Sequence, residues 1–560
     1  MNKKFLGCVL ASFLSTTVSA KTSVADNEKQ VKDFIQSYEA KVDPAYKKAT
    51  ITEFDAQISG KDGDYKKSSQ AQIDLTNIYA NKDDYAVIKK LRKLKVADKG
   101  LKRQLELIYD AYTSNQIAPE KLEAMIKLQT DIESKFNTFR ANIDGKDLTD
   151  NEVENILKTS TNSAEVEKAW KGSKVIGKVV SDDLKKLVLM RNDAARELGF
   201  KNYHQMMLKL NEQDPAQVEK LFNELDQLTR PAYVSLKKEI DTALAKKFNI
   251  PVSKLQPWHY QNRYFQEAPA IYKLDLDTYY KGKDLVKIME NYYASIGMSA
   301  DDIAARSDLY EKKGKYQHAC ENNMDRLNDI RVICNIKPNQ YWMDTVLHEF
   351  GHGLYDKYTD KTMPWTFREP AHIFTTEAIA MMFGRMGSNP QWLHDAVGIS
   401  REEQAKISDS SFKIQRMTQL VFSRWVQVMY RFEKSMYENP KQDLNALWWR
   451  LVEKYQLIKK PAGRTEPDWA SKIHIATSPA YYHNYLMGEL LASQLNAYMV
   501  RNIIKSKDIM NQSYFGNKEI GKYLIENVFA PGRKFYWNDM IKKATGEELT
   551  AKYYAKQFVK

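Results

Sequence analysis

The run Thr345 to Leu354, TVLHEFGHGL, places two histidines four residues apart with a glutamate directly after the first. Met343, Val346, Leu347, Phe350 and Leu354 recur at helical spacing, so the segment reads as a helix with one buried face. His348 and His352 then project from the same side. Two imidazoles in that relation can bind one Zn²⁺, and Glu349 between them can take a proton from the water that the metal activates. H-E-x-x-H also occurs by chance, so its surroundings must carry the reading further. A catalytic zinc needs a third protein ligand and one open position. Glu377, in Thr375-Thr376-Glu377-Ala378-Ile379-Ala380, is the preferred ligand, with Glu369 and His372 as alternatives lying between the two segments. A helix starting at threonine holds a carboxylate more rigidly than Arg368-Glu369-Pro370, where proline disfavours helix before it. Glu377 could instead be a surface carboxylate, but Ile373, Phe374, Ile379, Met381 and Met382 around it argue for burial. The chemistry implied is metal-assisted peptide hydrolysis, with Glu349 as base and then as proton donor to the leaving amine. The oxyanion formed on attack needs donors besides the metal.

Such residues need a rigid frame, and the sequence supplies one that is mostly helical. From residue 27 to about 250, apolar residues recur three and four apart, as in Glu165 to Val180, Asp182 to Leu198 and Pro215 to Phe248. Ser181-Asp182-Asp183 and Asp214-Pro215 read as capped helix starts, the second with proline in the first turn. The best strand signal is Ile330 to Ile336, IRVICNI, a β-branched run just before the metal motif. Helices resume after residue 400, including the aromatic-rich Ser411 to Tyr437. The fold class is mainly α, with one small sheet near the centre.

A chain of 560 residues could hold about three to four domains. Yet its 16 prolines and 22 glycines are scattered, with no linker, low-complexity tract or repeat, so one large unit over 21–560 is expected. Residues 1–20 carry Lys3 and Lys4, an apolar stretch from Phe5 to Leu14, and Val18-Ser19-Ala20, the pattern of a signal peptide cut near Ala20. That stretch is about half the roughly 20 residues of a membrane span, and no other candidate appears. The expectation is an exported protein, periplasmic or secreted, with no stable membrane anchor. Cys8 leaves with the leader, and the remaining pair, Cys320 and Cys334, predicts one disulfide, the alternative being two buried thiols. The net charge of +13 and the run Lys89-Lys90-Leu91-Arg92-Lys93-Leu94-Lys95 could suit nucleic acid or an anionic membrane. These lysines alternate with apolar residues at helical spacing and read as solvated helix faces, and no stacked-aromatic or glycine-loop motif supports nucleic-acid binding. Nothing in the sequence addresses the oligomeric state.

Beyond the zinc motif, an ordered series spans most of the chain: Ala169-Trp170-Lys171-Gly172, Gln317-His318-Ala319, Glu377-Ala378-Ile379, Trp448-Trp449-Arg450-Leu451, Lys472-Ile473-His474, Tyr482 and Tyr485. With that series the chain resembles angiotensin-converting enzyme and its bacterial relatives, the peptidyl-dipeptidase A family of gluzincins. The resemblance implies a large helical ellipsoid, two helical halves flanking a deep central cleft, and an N-terminal helical lid that includes Lys89 to Arg103. Such a cleft admits short unstructured peptides. The resemblance also implies that Lys472 and Tyr482 hold the free C-terminal carboxylate of the substrate. His474 and Tyr485 would steady the tetrahedral intermediate, and His318 and Ala319 would lie along the bound peptide. A lysine with a phenol makes a sound carboxylate receptor, and imidazole and phenol are competent oxyanion donors.

Some positions depart from the family pattern. Val452 and Asn484 stand where chloride-activated members carry arginines, and Lys174 stands for a third, so weak or absent chloride activation is expected. The glutamine that helps hold the terminal carboxylate has no match in Trp258-His259-Tyr260-Gln261, where Gln261 is offset by one. Cys320 follows His318-Ala319, whereas animal members put their cysteine before the histidine. The leading expectation is release of C-terminal dipeptides. Single-residue carboxypeptidase action, oligoendopeptidase action and a non-catalytic peptide-binding role are the alternatives.

Overall fold

Helices carry most of the chain, as the three-and-four spacing of apolar residues requires. The computed structural model describes residues 23–559; the leader at 1–20, with Cys8, lies outside the described residues. The first helix, Val24–Ser59, opens on a capping box between Ser23 and Asp26 and stops at Gly60, whose left-handed conformation ends it. With Asp62–Tyr79, Lys82–Leu91 and Lys99–Ser114 it forms an N-terminal helical layer. That layer has a core of its own, built on Val31, Ile35, Tyr38, Ile88, Leu105 and Tyr112, and Trp365 from the main body plugs into it. The segment Lys89 to Arg103, expected in a lid, crosses the turn between the third and fourth of these helices. The main core runs continuously from Met125 to Phe558.

Pro215–Phe248 is a single helix as predicted: the Asp214 carboxylate accepts from the Ala216 and Gln217 N–H groups at 2.9 Å, and Pro215 occupies the first turn. The break expected at Ser181-Asp182-Asp183 does not occur, because Ser163–Glu197 is one unbroken helix in which Ser181 is buried. Val180, Leu184, Leu187 and Val188 keep the apolar stripe in phase across that point, and burying the stripe outweighs the local capping preference. Ser411 to Tyr437 falls inside the long helix Arg401–Glu438. Among the described residues, no helix is long and apolar enough to cross a membrane.

The sheet beside the metal motif is a pair of short antiparallel strands, Cys320–Asn323 and Ile330–Ile333. It stops at Ile333 rather than Ile336 because the chain beyond pairs with an irregular segment: Cys334 N–H donates to Asp308 O and Ile336 N–H to Leu309 O. A second small hairpin joins Ala141–Ile143 to Lys146–Leu148. The predicted Cys320–Cys334 disulfide is absent, and both cysteines are free. The register explains this: Cys320 faces Ile333, so Cys334, one residue on, points to the other side of the sheet. Cys320 packs near Phe54 and Met324, whereas Cys334 belongs to the main core.

Candidate metal centre

The metal motif lies on the helix Gln340–Tyr358, which starts at Asn339, whose side chain accepts from Trp342 N–H at 2.9 Å. Met343, Val346, Leu347, Phe350 and Leu354 are fully buried, fixing the rotation that turns both histidines toward one point. Glu377 comes from Ile373–Gly384, and a third helix, His483–Met499, packs behind it. Small residues bring these backbones together. A Cβ at Gly351 would sit 3.1 Å from Ala380 Cα, and one at Gly488 would sit 3.2 Å from Glu377 Cβ.

The three predicted ligands converge. His348 Nε2 and His352 Nε2 are 3.2 Å apart, and Glu377 Oε2 lies 3.7 Å from the first and 3.9 Å from the second. Tetrahedral zinc with bonds near 2.0–2.1 Å spaces its ligands about 3.3 Å apart, so this donor set fits the ion. The competing ligands are engaged elsewhere. Glu369 pairs with Arg326 and, at 2.9 Å, with Arg533. His372 caps the Glu377 helix: its Nδ1 accepts from Phe374 N–H at 3.2 Å and its Nε2 donates to Asn211 O at 2.8 Å. Burial lowers His348 to about 4 and holds His352 well below the ordinary imidazole range, so both rings are neutral and offer lone pairs. Thr376 Oγ1 meets His352 Nδ1 at 2.7 Å, leaving Nε2 for the metal. Burial, then the nearby Glu489, raises Glu377 to about 7, and a bound dication would reverse that shift. Glu349 is pushed up to about 8 by burial and by Glu377, with the Glu321 backbone N–H pulling the other way.

His318 and Ala319 line a cavity of about 730 Å³ together with His348 and Glu349. His474, Tyr482 and Tyr485 form a second group, with ring centroids 5.2 Å apart for the first two and 5.5 Å for the last two. Burial and Lys472 lower His474 to about 4, and its Nδ1 has no partner among the described residues. Burial, then Glu377, raises Tyr485, placing this phenol within the field of the metal set. Lys472 is buried against the rings of Tyr264, Trp425 and Tyr482, and Trp425 Nε1–H donates to Tyr482 OH at 2.8 Å. Burial and Arg263 lower Lys472 to about 8, and its Nζ donates to Gln266 Oε1 at 2.7 Å.

The glutamine found beside Lys472 is Gln266, which the sequence reading did not single out. Gln261 has another task, accepting from Ala270 N–H at 2.9 Å in a left-handed turn at φ 60°. At the positions of the missing arginines, Val452 is buried, and Asn484 Oδ1 accepts from Gln213 Nε2 at 2.7 Å. Lys174 is buried, with Ser471 Oγ 3.2 Å away and the Tyr264 ring at 3.5 Å.

Residues 25–558 match the family described as angiotensin-converting enzyme. Among curated relatives, the chain is 22% identical to an angiotensin-converting enzyme of Theromyzon tessulatum over 593 residues, covering 99% of this chain and 94% of that protein. It is 23% identical to the Rattus norvegicus protein of the same name over 470 residues, covering 77% of this chain but 35% of that one. A Haematobia irritans exigua protein, again named angiotensin-converting enzyme, is 26% identical over 260 residues, 43% of this chain and 41% of that protein. With nearly its whole length matched and a zinc-compatible ligand set in place, the chain belongs to the angiotensin-converting enzyme family and is a zinc metallopeptidase.

Proposed function

We propose that the protein is a peptidyl-dipeptidase that removes C-terminal dipeptides from short unstructured peptides. The observation that carries this reading is the receptor around Lys472: a buried ammonium held by Gln266 beside Tyr482, in the same cluster as His474 and Tyr485. A lysine kept dry among aromatic rings, with an amide as its hydrogen-bond partner, suits an arriving carboxylate. Such an anchor selects for a free C-terminus.

His348, His352 and Glu377 would hold the ion. When bound there, zinc supplies Lewis acidity and makes water acidic near neutral pH. Glu349 takes the proton from the attacking water and returns it to the leaving amine nitrogen. His474 and Tyr485 donate to the oxyanion as the carbonyl becomes tetrahedral, and losing one such donor costs about a hundredfold or more in rate. Chloride is expected to have little effect, because Val452 and Asn484 are uncharged and burial holds Lys174 well below the usual ammonium range.

Mass spectrometry of the products from one decapeptide, with and without a chelator, tests the reading. Stepwise loss of two C-terminal residues, stopped by the chelator, is the expected result. Loss of one residue at a time would make the protein a carboxypeptidase, and internal cuts an oligoendopeptidase. If zinc-loaded protein cleaves nothing and Glu349→Gln behaves identically, the chain binds peptides without hydrolysing them.

A further inference from the structure

One face of the metal helix, Gln340–Tyr358, carries Glu349, Gly353 and Asp356, spaced four and three residues apart. The strand Cys320–Asn323 lies against that face, and a single strand residue, Glu321, meets all three positions. Its backbone N–H donates to the Glu349 carboxylate. Its Cγ passes 3.7 Å from where a Cβ would sit on Gly353. Its carboxyl group meets that of Asp356 one turn further on.

The two carboxyl groups lack donors. Glu321 Oε1 and Asp356 Oδ1 are buried and have no partner among the described residues. Two ionised carboxylates here would repel each other and leave both oxygens unmet, whereas one proton between them supplies the missing donor and removes the repulsion. Burial, then Asp356 and Glu349, pushes Glu321 well above the usual carboxylate range, which is the same direction. The charge also balances. Lys361 Nζ donates to Asp356 O at 2.5 Å, and the pair with one proton keeps one negative charge to face that ammonium. Arg326, the other cation near Asp356, is engaged by Glu369.

We propose that Glu321 is a positioning residue for the catalytic base: a hydrogen bond between its carboxyl group and that of Asp356 clamps the strand to the metal helix and so keeps the strand N–H on Glu349. The proposal rests on Glu349 acting as the base, as in the peptidase reading above, and adds a residue that acts through it. A strand that drifts from the helix frees the Glu349 carboxylate to turn away from the water it must deprotonate. That loss falls on kcat rather than on KM, because the receptor around Lys472 is a separate part of the site.

The test uses zinc-loaded full-length protein and one peptide with a free C-terminus. Glu321→Met removes the clamp and should lower kcat about tenfold or more, with KM and zinc content little changed. Glu321→Gln offers an amide N–H to the Asp356 carboxylate and leaves the charge of the pair as it was, so its kcat should stay near wild type. Asp356→Asn makes the same exchange from the helix side and should behave likewise. Combining Glu321→Met with Asp356→Leu removes the unpaired buried acid together with the clamp, so the double variant should recover stability that the single one loses and yet remain slow. A double variant that is folded, zinc-loaded and as fast as wild type overturns the proposal, as does a glutamine variant as slow as the methionine one. A loss confined to KM or to zinc content overturns it as well. Wild type that cleaves no peptide is a different failure, since it removes the peptidase reading before any variant is compared.

Discussion

The helices that carry the metal ligands and the segment from Lys472 to Tyr485 hold their residues by different means. At the metal end, spacing along regular helices does most of the positioning: His348 and His352 are one turn apart, and Glu377 is delivered by a backbone that Gly351 and Gly488 allow to come close. The other end is irregular. A short 3-10 turn at Asp468–Ser471 leads into a single helical turn at His474–Thr477 and Ala480 in the left-handed region at φ 55°, before the regular helix His483–Met499 takes up Tyr485. Contacts from distant elements hold the irregular part in place. Arg191 Nη1 donates to Ile475 O at 3.0 Å, Trp449 Nε1–H to Asp468 Oδ2 at 3.1 Å, and Ala480 N–H to Glu433 Oε1 at 3.0 Å. A regular element protects its site through its own hydrogen bonds, whereas a braced loop depends on polar partners elsewhere in the chain.

Substitutions at the two ends should therefore fail differently. Lys472→Met should lower kcat/KM on peptides with a free C-terminus by about a hundredfold or more, since it removes a buried charge partner of the substrate. The same change should matter little for C-terminally amidated peptides, so a double cycle over enzyme and substrate isolates the contact. At the metal end, Thr376→Val removes the group that fixes the His352 ring and should weaken zinc binding by roughly 10–100-fold, measured by chelator competition. That change should leave the preference for a free C-terminus intact.

The smallest effect is expected from a brace. Burial raises Glu433 to about 8, so the folded chain keeps a proton that the unfolded chain releases above the ordinary carboxylate range. Folded protein then binds more protons than unfolded across that interval, and this residue costs the wild type stability as pH rises from about 5 to 8. Glu433→Gln keeps the acceptor for Ala480 without the ionisation. The Tm of the variant relative to wild type should climb over that pH range and level off above it, as thermal melts at each pH will show.

The same contrast governs what the sequence made legible. His348, Glu349 and His352 were readable because their roles follow from helical spacing, and Glu377 because apolar neighbours marked its helix as buried. His372 looked like a competing ligand because a histidine capping a helix start has no distinct sequence mark, and Glu369 because its pairing with Arg326 and Arg533 joins residues far apart in the chain. Gln266 was invisible for the same reason: its contact with Lys472 depends on how the loop after Tyr260 returns to the main body. The cysteine pair misled because an even count says nothing about which face of a strand each thiol takes. Ser181 misled because a local capping signal was read without the apolar phase that runs through it.

The central claim is that Glu349 drives peptide hydrolysis at a zinc held by His348, His352 and Glu377. Measuring metal content and peptide turnover side by side in wild type and Glu349→Gln tests it most directly. The account predicts one zinc per chain in both proteins, with turnover about 10²–10⁴-fold lower in the variant. Zinc-loaded Glu349→Gln that cleaves as fast as wild type, or wild type that stays active after its zinc is removed, would contradict it.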